Sequence, residues 1–310
     1  MSSPIFFDPK RTKNLYGLSD DFIFLKKLYV NTKLPKVLLF SGDKGSGKFT
    51  LVNHFMHYIF DNENYNENKL QLNSKSLFHK QFLNDIFSNI IYLSGSNFKN
   101  IKVDDIRTLK KKIYQSSILD KPRFIILDDV EIFNLNSLNA LLKIIEEPSK
   151  KNYFFLINNK SKPIIDTIKS RCLEIKIFFN EIERQKIIES LVELFDINLT
   201  IDMKISQLTP GHLIKFNYIF QQNDISFNEK FIKNLEILLN LYKKDKDVDF
   251  TNVINFLANH HINKVKNENL LTNTNIFEYK RFVFENIDNY FIYNLSLKTL
   301  LNNLSNKINE

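Results

Sequence analysis

The sequence is poor in several residue types: it has one cysteine, no tryptophan and six glycines in 310 residues, and only six of its 43 basic residues are arginine. A single cysteine, Cys172, excludes an intrachain disulfide and a cysteine-rich zinc site and suits a reducing compartment. No run of about 18 apolar residues is present, so no segment is suited to cross a bilayer as a helix. The opening residues, MSSPIFFDPKRTK, lack the basic start, apolar centre and small-residue cleavage site of a secretion signal. The expectation is a soluble, cytoplasmic protein with no membrane partner.

What is present is an ordinary globular composition, 43% hydrophobic and 25% charged, long enough for two or three domains. The net charge of +8 would suit a phosphate-rich partner, because clustered cations release counterions from nucleic acid. Lysine outnumbers arginine about six to one, however, in a chain rich in Asn, Ile and Phe, and such a surface serves equally as a solvated face. Arginine alone offers a planar fork with a fixed charge. Each of Arg11, Arg107, Arg123, Arg171, Arg184 and Arg281 is therefore a candidate for a specific contact.

Half of the glycines fall around one loop. In FSGDKGSGKFTLVNHF, residues 40–55, Gly42, Gly47 and Lys48 match the phosphate-binding pattern G-x-x-x-x-G-K-[ST] up to its last position, with Gly45 inside the loop. There the chain has Phe49, and the hydroxyl arrives one residue late at Thr50. The flanking sequence has the order this motif needs, since KVLLFSG predicts a buried strand and KFTLVNHFMHYIF a helix. In such a loop the backbone N–H groups cradle phosphates and the lysine reaches the outer ones. Magnesium ordinarily takes the hydroxyl after the lysine; Phe49 has none, and Thr50 lies about 100° further round the helix.

Downstream, NIIYL (89–93), RFIILDD (123–129), NYFFLINN (152–159) and RCLEIKIF (171–178) predict further strands. DNENYNENKLQLNSK predicts a surface loop, VDDIRTLKKKIYQ (103–115) a helix opened by acids, and NLNSLNALLKIIEEPSK an amphipathic helix stopped before Pro148. Alternating strands and helices predict a parallel sheet covered on both faces. From about residue 181 only helices are expected, in NEIERQKIIESLVELF, TPGHLIKFNYIFQQ, NEKFIKNLEILLNLYKK and the tail from Phe277 to Ile308. The expected organisation is an α/β P-loop domain over residues 1–180, a small helical domain over 181–222 and an all-α domain over 223–310. At the end of FIILDD, Asp128 is placed to hold magnesium through water and Asp129 stands where a catalytic base would be, one methylene shorter than glutamate. Arg171, in the SRC run before the last strand, could project its guanidinium to a phosphate on another chain.

GDKGSGKFTL, IKVDDIRTLKKKI, FIILDDVEIFNLNSLNALLKIIEEP and FFLINNKSKPIIDTIKSRC together resemble bacterial clamp-loader subunits of the AAA+ class. The resemblance covers nearly all of residues 1–180 and is weak beyond, where only NLSLKTLL (294–301) is similar. It implies a nucleotide-type domain, a helical lid and a C-terminal collar that packs in a pentameric ring with ATPase subunits of the gamma/tau type and a delta-type subunit. It also implies work on a sliding clamp and primer-template DNA within DNA polymerase III. Residue by residue, it makes Lys48 the phosphate lysine, Asp128 the magnesium aspartate, Asn159 the sensor beside them, and Arg171 a trans-acting arginine finger. Gly17 falls at the turn beside the adenine pocket. The family's second sensor arginine belongs near Gly211, where there is none, and the four-cysteine zinc module of many relatives is missing, so ATP and magnesium are open and zinc is not expected. With Phe49, Asp129 and Gly211 all departing from a hydrolytic site, the resemblance favours a subunit that serves another chain's ATPase. The alternatives are an ATP-hydrolysing gamma-type subunit or other AAA+ ATPase and, more remotely, a nucleotide kinase.

Overall fold

The computed structural model describes residues 8–95, 101, 103–114, 121–203, 207–245, 248–268 and 273–308. Among the expectations, the opening residues 1–7 and Gln115, the last of the helix expected at 103–115, lie outside them. The chain divides into two compact units, one formed by residues up to Phe195 with Leu208–His212, the other by Asp196–Gln207 and Leu213 onward.

The first unit is built on five parallel strands: β1 (Val37–Ser41), β2 (Ile90–Ser94), β3 (Arg123–Asp128), β4 (Asn152–Asn158) and β5 (Leu173–Lys176), in the spatial order β2-β3-β4-β1-β5. Side chains along a strand alternate between faces, and the two cores divide accordingly. Leu38, Phe40, Phe124, Ile126, Phe155 and Ile157 face one core, against the helices α1 (Ser19–Val30), α2 (Lys48–Phe60) and α3 (Leu77–Leu83). Leu39, Ile125, Leu127, Phe154 and Leu156 face the other, against α4 (Val103–Tyr114), α5 (Leu135–Ile145) and α6 (Asp166–Lys169). Strands buried on both faces have continuous apolar runs, which is why FIIL and YFFLI were legible without alternation. The unit continues into α7 (Glu181–Phe195) and the first residues of α8 (Pro210–Gln222).

Two expectations change. The stretch from Asp61 to Lys75 is more than a surface loop: it carries a 3₁₀ turn at Asn62–Asn64, pairs Asn66 with Gln71 and Asn14 with Gln71, and buries Tyr65 and Leu72. The helices α1 and α3, and the helix over Val248–Asn267, were not singled out in the sequence. α3 is seven residues long and is started by Ser76, whose hydroxyl accepts from the His79 N–H at 3.1 Å.

The second unit is helical: the rest of α8, then α9 (Phe231–Asp245), α10 (Val248–Asn267), α11 (Asn273–Tyr293) and α12 (Leu297–Ile308). Its core includes Leu213, Phe216, Phe220, Leu235, Leu238, Leu239, Ile254, Val283 and Leu304. Buried Asn217 accepts from the Thr200 N–H and donates to the Asn198 carbonyl, which fixes the 198–201 segment.

Candidate functional site

The glycine loop between β1 and α2 is closed by its own lysine. The Lys48 ammonium donates to the carbonyls of Gly42 (2.7 Å) and Asp43 (2.8 Å) and, at 3.3 Å, to the Ser46 hydroxyl, so its three protons point at the loop that carries it. Burial to 3% exposure lowers its pKa to about 8, against the attraction of Asp128, Glu131, Asp43 and Asp129. Gly45 and Gly47 both have φ of +84°, the left-handed turn that lets Gly47 start α2, and a side chain at either would be strained. Gly42 is fixed by space instead, since a Cβ there would lie 2.3 Å from the Ile177 carbonyl oxygen.

The start of α8, with Thr209 just before it, sits directly on this loop. Thr209 donates its hydroxyl to the Lys44 carbonyl at 2.6 Å, and the Gly211 N–H donates to the Gly45 carbonyl at 3.0 Å. A Cβ at Gly211 would fall 2.8 Å from the Gly45 oxygen, and one at Gly45 would meet the Thr209 hydroxyl at 2.5 Å. Near the place where the resemblance puts a sensor arginine, Gly211 thus lies against Gly45, a contact that leaves no room for a side chain at either.

The position after the lysine is filled by packing. Phe49 is 6% exposed and meets Tyr92 of β2 edge-on, with ring centroids 5.3 Å apart. Tyr92 in turn donates weakly to Asp128 Oδ2 at 3.4 Å. The Thr50 side chain makes no hydrogen bond among the described residues. Gly17, expected beside an adenine pocket, has φ of +69° and packs where a Cβ would strike Ile187 at 2.3 Å.

The acidic end of β3 does gather the residues expected of it. Asn159, after β4, donates to Asp129 Oδ1 at 2.7 Å and to Asp128 Oδ1 at 3.2 Å. Burial, reinforced by the neighbouring Asp129 charge, raises Asp128 to about 6. Asp129 takes a left-handed turn at φ of +52° and accepts from the Ser94 hydroxyl at 3.3 Å. Parallel pairing of β3 with β2 and β4 brings these ends together. Sequence reasoning missed Glu131, two residues on and 5% exposed, which accepts from the Asn159 N–H (3.1 Å), the Ser161 N–H (3.3 Å) and the Ser161 hydroxyl (2.8 Å). An acid between two apolar residues in DDVEIF was the available signal.

Arg171 is elsewhere in the unit, following α6. Among the described residues it makes no hydrogen bond or ion pair with the loop or β3; its guanidinium is half-exposed and binds Glu146 at the end of α5. None of the predicted site residues lines the cavity of about 810 Å³ in the helical unit, which is bounded by Phe227, Phe231, Asn234, His260, His261 and Tyr279 among others.

The chain is 32% identical over 209 residues to a protein named DNA polymerase III subunit delta' from Buchnera aphidicola subsp. Acyrthosiphon pisum, covering 64% of this chain and 63% of that one. It is 26% identical over 190 residues to DNA polymerase III subunit tau of Bacillus subtilis, covering 61% and 32%. Among solved structures it is similar to a DNA polymerase III gamma subunit-related protein from Thermotoga maritima, with 19% identity and a TM-score of 0.49 over 90% of this chain and 96% of that one. The aligned parts span less than two thirds of the length of these curated relatives, 63% at the first and 32% at the second. A family model described as "DNA polymerase III, delta subunit" matches residues 19–180, which is more than half of the 310. The chain therefore belongs to the DNA polymerase III delta subunit family.

Proposed function

We propose that this chain works as a delta-prime-type subunit of a DNA polymerase III clamp loader. In this reading residues 1–180 form the AAA+ nucleotide-type domain, 181–222 the lid and 223–310 the collar. The partners are gamma/tau-type ATPase subunits and a delta-type subunit in a pentameric ring, which acts on a sliding clamp at primer-template DNA. Arg171 reaches a nucleotide held by a neighbouring ATPase subunit, and the chain's own hydrolysis is weak or absent.

The observation that carries this reading is the contrast between the two ends of the first unit. The cradle's lysine is spent on the loop's own carbonyls, Gly211 lies on Gly45, and a phenylalanine ring stands where a magnesium ligand would be. The loop is a poor cradle for ATP with magnesium in this arrangement, because the Lys48 ammonium would have to leave the Gly42 and Asp43 carbonyls to reach a phosphate and Phe49 offers magnesium no oxygen. The arginine, by contrast, is accessible. A guanidinium at such a site stabilises charge developing on a transferred phosphoryl group, where its loss has a cost of about 10³-fold or more in simple GTPases.

The test is reconstitution with the ATPase and delta-type subunits. Arg171→Ala is expected to lower DNA-stimulated ATP hydrolysis and clamp loading by removing one of several ATP sites, with ring assembly and the isolated chain unchanged. Full activity of that complex at saturating DNA would refute the reading. Lys48-dependent turnover by the isolated chain would instead favour an ATP-hydrolysing subunit.

A further inference from the structure

We infer that Glu146 is a positioning residue for Arg171, fixing the guanidinium so that its Nη2 amino group is left to meet a partner's phosphate; this rests on the arginine-finger reading proposed above. The two residues are 25 apart in sequence and are joined where α5 ends and α6 gives way to β5. Glu146 caps the C-terminus of α5, its N–H closing onto the Leu142 carbonyl, and Pro148 turns the chain away two residues later. Its place is therefore set by the helix rather than by a mobile loop.

The donors of Arg171 can be accounted for one by one. The Nε–H donates to Glu146 Oε1 at 2.9 Å, and Nη2 reaches the same oxygen at 2.6 Å. Nη1 donates to the Thr167 carbonyl at 2.9 Å and, at 3.3 Å, to the Ser170 hydroxyl. A guanidinium has five N–H groups, and the two on Nη2, which meets Glu146 as an ion pair only, are the ones without a hydrogen-bonded acceptor among the described residues. The side chains are 36% and 46% exposed, and an exposed ion pair of this kind adds little to folding. Its effect is geometric. Arginine loses much rotamer freedom when it engages a phosphate, and a carboxylate that has already fixed the fork removes that loss from the step at which the phosphate is met.

The experiment uses the reconstituted clamp-loader complex and reads kcat and KM for DNA-stimulated ATP hydrolysis. Glu146→Ala is expected to lower the arginine-dependent part of kcat by about 10-fold, within the range seen when a reacting group is misplaced by about 1 Å, and to leave KM for ATP unchanged. Glu146→Gln, which keeps an acceptor at the same reach, is expected to restore most of it. In an Arg171→Ala background Glu146→Ala should have no further effect. If Arg171→Ala lowers kcat and Glu146→Ala does not, the positioning role is wrong while the finger stands. If Arg171→Ala itself changes nothing, the finger reading fails first. An equal loss from Glu146→Ala with and without Arg171 would assign Glu146 a structural role and overturn the inference.

Discussion

Replacing Lys48 with methionine separates a lysine that serves its own loop from one waiting for a phosphate. The side chain is 3% exposed, and burial lowers its pKa from 10.5 to about 8. At one pKa unit per ~1.4 kcal/mol, keeping this lysine charged in the fold has a cost of about 3 kcal/mol at neutral pH. Its two short bonds to carbonyls, at 2.7 and 2.8 Å, return about 1.5–3 kcal/mol each, as bonds from a charged donor do. The balance makes Lys48→Met destabilising by about 0–3 kcal/mol at pH 7. The pH dependence is sharper. Between about 8 and 10.5 the unfolded chain holds the lysine's proton and the folded chain does not, so wild-type stability rises with pH across that window. Methionine has no proton to exchange, so the stability gap between wild type and variant should widen by about 2 kcal/mol from pH 7 to pH 9.5. Urea titrations of both proteins, followed by circular dichroism, measure it. In the same assay MgATP should stabilise neither protein, whereas a bound ligand at 100 times its Kd would add about 2.7 kcal/mol. A gap that does not change with pH, or an MgATP stabilisation lost in Lys48→Met, would refute the reasoning.

Other outcomes follow from the same contacts. Gly211→Ala places a methyl group 2.8 Å from the Gly45 oxygen and should destabilise the first unit by about 1–3 kcal/mol, measurable by urea unfolding; a neutral substitution would show that the 209–211 contact is loose. Phe49→Ala removes a buried ring packed on Tyr92 and should cost about 3–5 kcal/mol, and Phe49→Ser, which supplies the missing hydroxyl, should still give no ATP turnover by the isolated chain. Asp128 should titrate near 6 by carboxyl carbon NMR, and because the Asp129 charge is one of the raising causes, Asp129→Asn, which keeps an acceptor for Asn159, should move that titration downward; an upward move would refute this assignment of the cause.

The five strands, the glycine loop and the acidic end of β3 were legible in the sequence because each depends on local rules: apolar runs for buried strands, φ above zero for Gly45 and Gly47, and two carboxylates at a strand end. The order β2-β3-β4-β1-β5 was not, because it is set by pairings between distant segments. Asn159 could be paired with Asp128 only through a resemblance, and parallel pairing of β3 and β4 brings them to 3.2 Å. α1, α3 and α10 escaped notice. α3 is only seven residues, and α1 and α10 mix apolar residues with Asn, His, Lys and Asp without a clean stripe, so tertiary packing rather than periodicity makes them helices. The sequence alone determined that Phe49 offers no hydroxyl and that no arginine stands near Gly211. Tertiary structure alone decided that Lys48 turns back on its loop, that Gly211 is pressed against Gly45 and that Glu146 holds Arg171. Those three contacts join residues by the directions of side chains and the approach of separate segments, and neither composition nor spacing encodes where a flexible ammonium or guanidinium finds its acceptors.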